Sequence, residues 1–289
     1  MGRDDEVRRA LPALEASARV RGVVLLGEAG VGKSTLAGVL AEAAESRGLT
    51  VRFVLGTDAG RDVPLGVFDW LLTLDAALEP AVMLAAAHRT LEREKNLVLI
   101  VDDAQLLDPL SATLLHQLTV SGGTRLIVVI RSGEAVPDAV TALWKDQLLL
   151  RLDIKAFTRA QTGELARDVL GGPVESRLVD ELYGRTGGNL LLLRGLLNAG
   201  QESGVLARTD AGWRLRGPLR GDDELYDLLG FRLQALAPEE LEAIEVVAAA
   251  EVLDWDILRM VSDADAVARL ERRGLIQLVP ERAHAMARL

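Results

Sequence analysis

The segment GEAGVGKST, residues 27–35, joins an apolar run, RGVVLL, to a helical pattern, LAGVLAEAAE. Its glycines and lysine fit G-x-x-x-x-G-K-[ST], in which glycines let backbone N–H groups turn inward around an anion. The helix that begins near Lys33 adds unpaired N–H groups and the positive end of its dipole. A glycine-rich turn without a ligand is the alternative, but the position between a strand and a helix favours phosphate binding. The residues expected to contact nucleotide phosphates are Gly27, Glu28, Ala29, Gly30, Val31, Gly32, Lys33, Ser34 and Thr35.

Apolar strand-like segments alternate with helical patterns up to about residue 155. The strand-like segments are GVVLLG, LTVRFVLG, NLVLIVDDA, TRLIVVIR and LLLRLDI. Continuous apolar strands between helices are typical of a parallel sheet that is covered on both faces. We therefore predict an α/β fold, a P-loop NTPase sheet flanked by helices, over residues 1–155.

The character of the sequence changes after residue 155. Thr158 and Gln161 have the spacing of a capping box, and helical patterns follow it. The segment VLARTDAGWRLRG alternates around a turn and predicts a hairpin, so residues 156–224 are expected to form a helical lid domain. From residue 225 helical patterns return, with Pro238 in a first turn, and a strand follows Gly274. Residues 225–289 are therefore expected to form a complete or partial winged-helix-like domain.

Composition and charge restrict the functions that this chain can have. The 289 residues carry a formal net charge of −10 and include no cysteine, which excludes disulfides and thiolate metal sites. No uncharged apolar run reaches the roughly 18 residues of a membrane span, and the charged N-terminus is not a secretory signal. We therefore expect a cytoplasmic protein without membrane contact. A nucleic-acid binder usually has a basic surplus or patch, so direct DNA binding is not expected.

Two carboxylates follow the apolar strand LVLIV, at the end of the sheet where open α/β sheets bind ligands. Asp102 is placed to hold Mg²⁺, directly or through water, together with the Ser34 hydroxyl. Asp103 is then the acid next to the γ-phosphate, able to orient or deprotonate an attacking water. The alternative is a pair of helix-capping acids, which the phosphate loop upstream makes less attractive.

Two further segments are candidates for nucleotide contact. Arg131 ends the strand RLIVVIR, from which its guanidinium would pair with the γ-phosphate as a sensor; a surface arginine is the alternative. In TGGN, residues 186–189, the glycines would end one helix and Asn189 would cap the next. The residues alone indicate a link between helices, although a helix start folded over the loop would touch the nucleotide.

The order of GRDDE, GEAGVGKST, LVLIVDDAQLLDP, RLIVVIRSGE and TGGNLLLLRGLL resembles the STAND class of P-loop ATPases. It is most similar to the large LuxR-type regulators of actinobacteria, relatives of the maltose regulator, over nearly the whole chain. The resemblance places Gly2, Arg3 and Glu6 beside the adenine and makes Asp102 and Asp103 the acid pair. It also makes Arg131 the sensor, and it places Gly188, Asn189 and Leu190 at the nucleotide, although the family usually has proline where this chain has Leu190.

The resemblance implies an ATP-binding and slowly hydrolysing signal-transduction switch that uses ATP or ADP with Mg²⁺. Its ATP-bound form would self-associate, and the sensor region and DNA-binding helix-turn-helix of such regulators would lie outside these 289 residues. In this interpretation Lys33, Asp103 and Arg131 carry the chemistry. The alternative is an ATPase of the AAA+ or DNA-loader kind with steady turnover, which would need an arginine from a partner and a basic groove. A small-molecule phosphotransferase would need an acceptor site, which the sequence does not indicate.

Overall fold

The computed structural model describes residues 2–15, 17–69, 71–72, 79–209, 212–217, 236–250, 253–272, 276–281 and 284–288. The chain forms two compact units, Met1–Leu219 and Arg220–Leu289. The boundary expected at residues 224/225 lies outside the described residues. In the part of the chain that is described, no helix is long and apolar enough to cross a membrane.

The first unit is built on a five-stranded parallel sheet. Its strands are β1 (Gly22–Gly27), β2 (Thr50–Leu55), β3 (Leu97–Asp102), β4 (Arg125–Arg131) and β5 (Leu150–Asp153). They lie in the order β2-β3-β4-β1-β5, and every adjacent pair is parallel. All six residues of β3 are buried, as expected for a central strand that is covered on both faces. The predicted parallel α/β sheet is confirmed.

Helices cover both faces of this sheet. They are α1 (Asp4–Ala10), α2 (Lys33–Glu45), α3 (Pro80–Glu92), α4 (Pro109–Ser121) and α5 (Asp138–Lys145). Successive residues of a strand point to opposite faces. In β1, Val24 therefore belongs to the apolar cluster with α3, α4 and α5, whereas Val23 belongs to the cluster with α1 and α2. Helices α1 and α5, of seven and eight residues, were not expected from the sequence.

The motif LLDP starts helix α4. Asp108 is 2% exposed, and its Oδ1 accepts hydrogen bonds from the N–H groups of Leu110 and Ser111 at the first turn. The same oxygen accepts one from the N–H of Leu65, which fixes the loop after β2 to this helix start. Pro109 occupies the first helical position, where no N–H donor is needed.

The lid follows β5 within the same unit. It consists of α6 (Arg159–Leu170), α7 (Ser176–Thr186), α8 (Leu190–Glu202) and a hairpin of β6 (Leu206–Thr209) and β7 (Gly212–Leu215). The predicted capping box of Thr158 and Gln161 starts α6. Gly187 ends α7 in the left-handed conformation and Asn189 caps α8, so both caps predicted in TGGN are confirmed.

The second unit has the element order of a winged helix. It contains α9 (Pro238–Ala250), β8 (Leu253–Asp254), α10 (Trp255–Val261), α11 (Ala264–Arg272), β9 (Gln277–Glu281) and β10 (His284–Arg288). The strands form an antiparallel sheet in the order β8-β10-β9. Val247, Leu258 and Leu270 are fully buried in a core shared by the three helices. Gly274, which was expected to precede a strand, lies outside the described residues.

Candidate nucleotide-binding site

The strand order brings the predicted site residues to one edge of the sheet. Strand β4 lies between β1, which leads into the phosphate loop, and β3, which ends in the acid pair. Gly27 is the register partner of Arg131, the last residue of β4. Because parallel strands end at the same edge, Arg131 stands between the loop and the two carboxylates. The strand that ends in Arg131 therefore lies next to the strand that carries the acid pair, as expected for a sensor arginine.

The phosphate loop uses its glycines where the backbone needs them. Gly30 and Gly32 have φ values of +75° and +90°, a region that other residues rarely adopt. Gly32 directly precedes α2, so the positive end of that helix opens onto the loop. The loop therefore has the backbone conformation and the helix start that a phosphate cradle requires.

Lys33 is 6% exposed, and its ammonium group closes onto the loop itself. Nζ donates to the carbonyls of Gly27 and Glu28 over 2.9 and 2.8 Å. Burial lowers the pKa of Lys33, and the nearby charges of Asp103 and Asp102 oppose this shift only in part. An anion brought into the loop would compensate this poorly solvated cation, which favours phosphate as the ligand.

The residues expected to hold Mg²⁺ have suitable chemistry. Ser34 is exposed in the first turn of α2, and the Asp102 carboxylate, at the end of β3, is 2% exposed. A hydroxyl and a carboxylate, completed by phosphate and water oxygens, form the oxygen ligand set that Mg²⁺ prefers. Among the described residues, no group of three or more acids, histidines or cysteines is arranged to hold a metal ion. Ser34 and Asp102 thus fit a metal that arrives with the nucleotide.

Asp103 and Arg131 form an ion pair. Arg131 Nε donates to Asp103 Oδ1 and Nη2 to Oδ2, both over 2.9 Å, in a two-point arrangement. Gln105, 3% exposed, adds a third contact: its Nε2 donates to Asp103 Oδ1 over 3.0 Å. The Oε1 of the same amide accepts from the backbone N–H of Arg131 over 3.1 Å. Gln105 was not predicted as a site residue, because its only signal in the sequence is a polar residue two positions after the acid pair.

Arg3 fixes the N-terminal segment against the loop. It is 9% exposed, and its Nη2 donates to the carbonyls of Val31 and Lys155 over 2.8 and 2.6 Å. Its Nη1 pairs with Glu6 over 2.8 Å, and its guanidinium lies 4.7 Å from the centre of the Phe157 ring. Arg3 therefore joins the phosphate loop to the start of the lid. An adenine contact by Gly2, Arg3 or Glu6 remains a prediction.

The TGGN segment lies directly on the phosphate loop. Asn189 Nδ2 donates to the carbonyl of Ala29 over 2.8 Å, and the N–H of Leu191 donates to the carbonyl of Gly30 over 3.1 Å. A Cβ atom added to Gly32 would come within 2.7 Å of the Leu190 side chain, so this leucine packs against the loop. The segment is thus both a link between helices and a contact of the loop. Whether it touches the nucleotide remains a prediction.

Comparison with known proteins agrees with this geometry. Residues 1–130 match the AAA ATPase domain family. The match includes the phosphate loop and the acid pair, and it supports nucleotide binding and hydrolysis by this part of the chain. Among curated proteins, no sequence matches the chain.

Solved structures are similar to this chain at low sequence identity. Cdc6p from Pyrobaculum aerophilum has a TM-score of 0.53 and 14% identity, over 99% of this chain and 89% of that one. Domain III of DnaA from Thermotoga maritima has 0.49 and 17%, over 80% and 92%. The Orc1 protein of Aeropyrum pernix, solved with DNA, has 0.47 and 16%, over 99% and 87%. The fold is that of a P-loop NTPase.

Proposed function

We propose that this chain is a nucleotide-controlled switch of the STAND type. It binds ATP with Mg²⁺, hydrolyses it slowly and changes the position of its helical lid according to the nucleotide that is bound. The observation that carries the proposal is the contact between the lid and the phosphate loop. Asn189 and Leu191 donate to the carbonyls of Ala29 and Gly30. The N–H groups of the same short loop would bind phosphate. The lid and the phosphates would therefore contact the same stretch of backbone.

This sharing is a physical basis for coupling. A ligand shifts a conformational equilibrium only by its different affinity for the two states. Phosphates that fix the backbone of residues 27–32 also fix the carbonyls that the start of α8 binds. ATP and ADP differ by the γ-phosphate, which faces the sensor and acid side of the site. Lid position is therefore expected to depend on which nucleotide is bound.

The proposed roles follow from position. Lys33 is the cation for the β- and γ-phosphates, and Ser34 and Asp102 hold the Mg²⁺, which neutralises developing charge on the phosphates. Asp103 takes the proton of the attacking water, and Arg131 pairs with the γ-phosphate. Arg3 and the 188–190 segment border the remainder of the nucleotide.

Slow hydrolysis is supported by the state of Asp103. Arg131 donates to both oxygens of Asp103 and Gln105 donates to one of them, so the arginine must move before an attacking water can take its place at the carboxylate. Each turnover then includes a rearrangement of this ion pair. Slow hydrolysis of this kind is typical of a regulatory ATPase.

The resemblance to LuxR-type regulators suggests what the switch controls. In that class the ATP-bound form self-associates and activates transcription through a separate DNA-binding domain. We propose that this chain supplies the nucleotide-dependent association and does not itself read DNA, in agreement with its net charge of −10.

The test compares the mass of the purified chain in solution with Mg²⁺–ADP and with a slowly hydrolysed ATP analogue, alongside steady-state turnover of ATP. A larger species with the analogue only, and a turnover well below 1 per second, would support the switch. Lys33→Ala is the control and should stay in one state. The same mass with both nucleotides would contradict the proposal.

A second candidate is an ATPase of the AAA+ or DNA-loader kind with steady turnover, in line with the match of residues 1–130 to the AAA ATPase domain family. A titration of duplex DNA at low salt, with and without ATP, separates the two. DNA binding at micromolar concentration or tighter, weakening steeply with salt, would favour the loader, because phosphate contacts release counterions. The switch predicts no such binding.

A further inference from the structure

The three donors around the Asp103 carboxylate differ in how firmly they are held. The Arg131 side chain is 44% exposed and lies at the open edge of the site, whereas Gln105 is 3% exposed. The exposed guanidinium can be solvated by water or paired with another anion when it leaves the carboxylate, so the arginine is the donor that can move. A buried amide with both ends bonded is far more expensive to displace, because each end would be left without a partner.

Gln105 is also anchored independently of the arginine side chain. Its Oε1 accepts from the backbone N–H of Arg131, and that backbone is the last register position of β4. The guanidinium can therefore move while the amide keeps its place. Gln105 thus spans the ends of β3 and β4 and points its N–H donor at one oxygen of Asp103.

We propose that Gln105 is a positioning residue of the hydrolytic site, which holds the Asp103 carboxylate while Arg131 exchanges between that carboxylate and a bound γ-phosphate. This inference rests on the proposed function, because it assigns a device to the same reaction. In the free protein the arginine covers Asp103. With ATP bound, the γ-phosphate draws the arginine away and Asp103 keeps its contact with Gln105.

In the proposed hydrolysis, water attacks the γ-phosphate and ADP leaves. The oxygen of water bonds to the γ-phosphorus, and the bond from that phosphorus to the bridging oxygen breaks with its electrons on ADP. The proton of the water passes to the free oxygen of Asp103 and then to the phosphate released. Gln105 contacts Oδ1 only. Oδ2 therefore becomes available when Arg131 Nη2 leaves it.

The first test removes both bonds of the amide at nearly constant volume. Gln105→Leu should lower the kcat for ATP at least tenfold and leave the dissociation constant for Mg²⁺–ATP within about twofold of wild type. A positioning role predicts this separation of kcat from binding. A wild-type kcat in Gln105→Leu, or an equal loss of binding and turnover, would overturn the proposal.

The second test uses a change that a structural role would not produce. Gln105→Glu keeps an acceptor for the N–H of Arg131 but loses the donor to Asp103 until its own carboxyl is protonated. The charges near this position are Lys33 and Arg131 and the acids that act on them, which are Asp102 and Asp103 at the end of β3 and Glu134 in the loop after β4. The kcat of this variant, relative to wild type, should rise severalfold as the pH falls from 8 to 6.

A matched control and a measurement without turnover complete the design. Gln117→Glu makes the same chemical change at an exposed position of α4 and should follow the wild-type pH profile.

A wild-type chain that binds ATP without turnover would overturn the proposed hydrolysis. In that case the melting temperature decides whether Gln105 holds Asp103. Gln105→Glu should gain stability relative to wild type as pH falls, and this gain should shrink in an Asp103→Asn background. A flat profile would overturn the contact.

Discussion

The backbone N–H of Phe157 donates a hydrogen bond to the carbonyl of Gly188 over 2.9 Å, so the segment before α6 and the loop between α7 and α8 meet beside the phosphate loop. Gly188 has a φ of +80°, and a Cβ atom there would collide with the carbonyl oxygen of Phe157. This close approach of two backbones explains why TGGN has two glycines. Gly187 ends a helix, whereas Gly188 makes room for the neighbouring chain.

Gly188→Ala should therefore destabilise the chain more than Gly187→Ala. Gly187 has a φ of +56° with open space around it, so an alanine costs about 1–2 kcal/mol for its left-handed backbone alone. At Gly188 the collision adds about 1–3 kcal/mol, as in an overpacked core. Thermal unfolding of both variants measures the difference. Equal melting temperatures would show that the two loops move apart freely.

Lys33→Ala should remove most of the affinity for nucleotide, because in the proposed site its ammonium is the charge for the β- and γ-phosphates. Ligand binding stabilises the folded state by about 2.7 kcal/mol at a hundredfold excess over the dissociation constant. Mg²⁺–ATP should therefore raise the melting temperature of wild type and leave that of the variant unchanged. Equal shifts in both would exclude the assignment of the phosphate loop.

Binding of ATP at alkaline pH should take up protons. Burial lowers the pKa of Lys33 in the free chain, and phosphate oxygens next to Nζ would raise it again. Between the lowered and the raised pKa the complex holds more proton than the free chain, so affinity falls as pH rises. Calorimetry across the alkaline range in two buffers of different ionisation enthalpy measures the uptake, which should be largest between the two pKa values. The phosphates of ATP are fully ionised there, since phosphate esters titrate at about pH 6. Proton release on binding would contradict this account.

Asp103→Asn should keep ATP binding and lower turnover about a hundredfold or more, because an amide cannot accept the proton of water. Asp102→Asn should instead weaken the dependence of binding on Mg²⁺. Rapid-quench turnover and a magnesium titration of ATP binding distinguish the two. If Asp103→Asn turns over ATP like wild type, Asp103 serves only as the partner of Arg131.

Local patterns in the sequence were sufficient for the sheet, the phosphate loop and the helix caps. The apolar segment LVLIV between polar neighbours favoured a buried strand, and Asn189 after two glycines favoured a helix start, as the structure has them. Contacts between distant residues were not predictable in this way. The bonds of Arg3 to Lys155, 152 positions away, and of Gln105 to Arg131 depend on strand order. The eight-residue helix α5 is too short for a periodic pattern to stand out.

The contact of Asn189 with Ala29 allows the proposed coupling to be separated from simple helix capping. Oδ1 of Asn189 accepts from the N–H groups of Leu191 and Leu192, while Nδ2 donates to the loop. Asn189→Asp keeps an oxygen for the cap but has no donor for Ala29, whereas Asn189→Ala loses both and should cost about 1 kcal/mol of stability. Because Asn189 borders the proposed nucleotide site, we expect Asn189→Asp to bind ATP more weakly, and the variant and wild type are compared at saturating Mg²⁺–ATP. We also expect it to lose most of the ATP-dependent change in hydrogen exchange along α8, which reports local opening of the lid.

Asn189→Ala should lose the same response and, in addition, exchange faster without nucleotide. If Asn189→Asp responds to ATP like wild type, the hydrogen bond to Ala29 carries no signal, and the packing of Leu190 on Gly32 becomes the contact to change next.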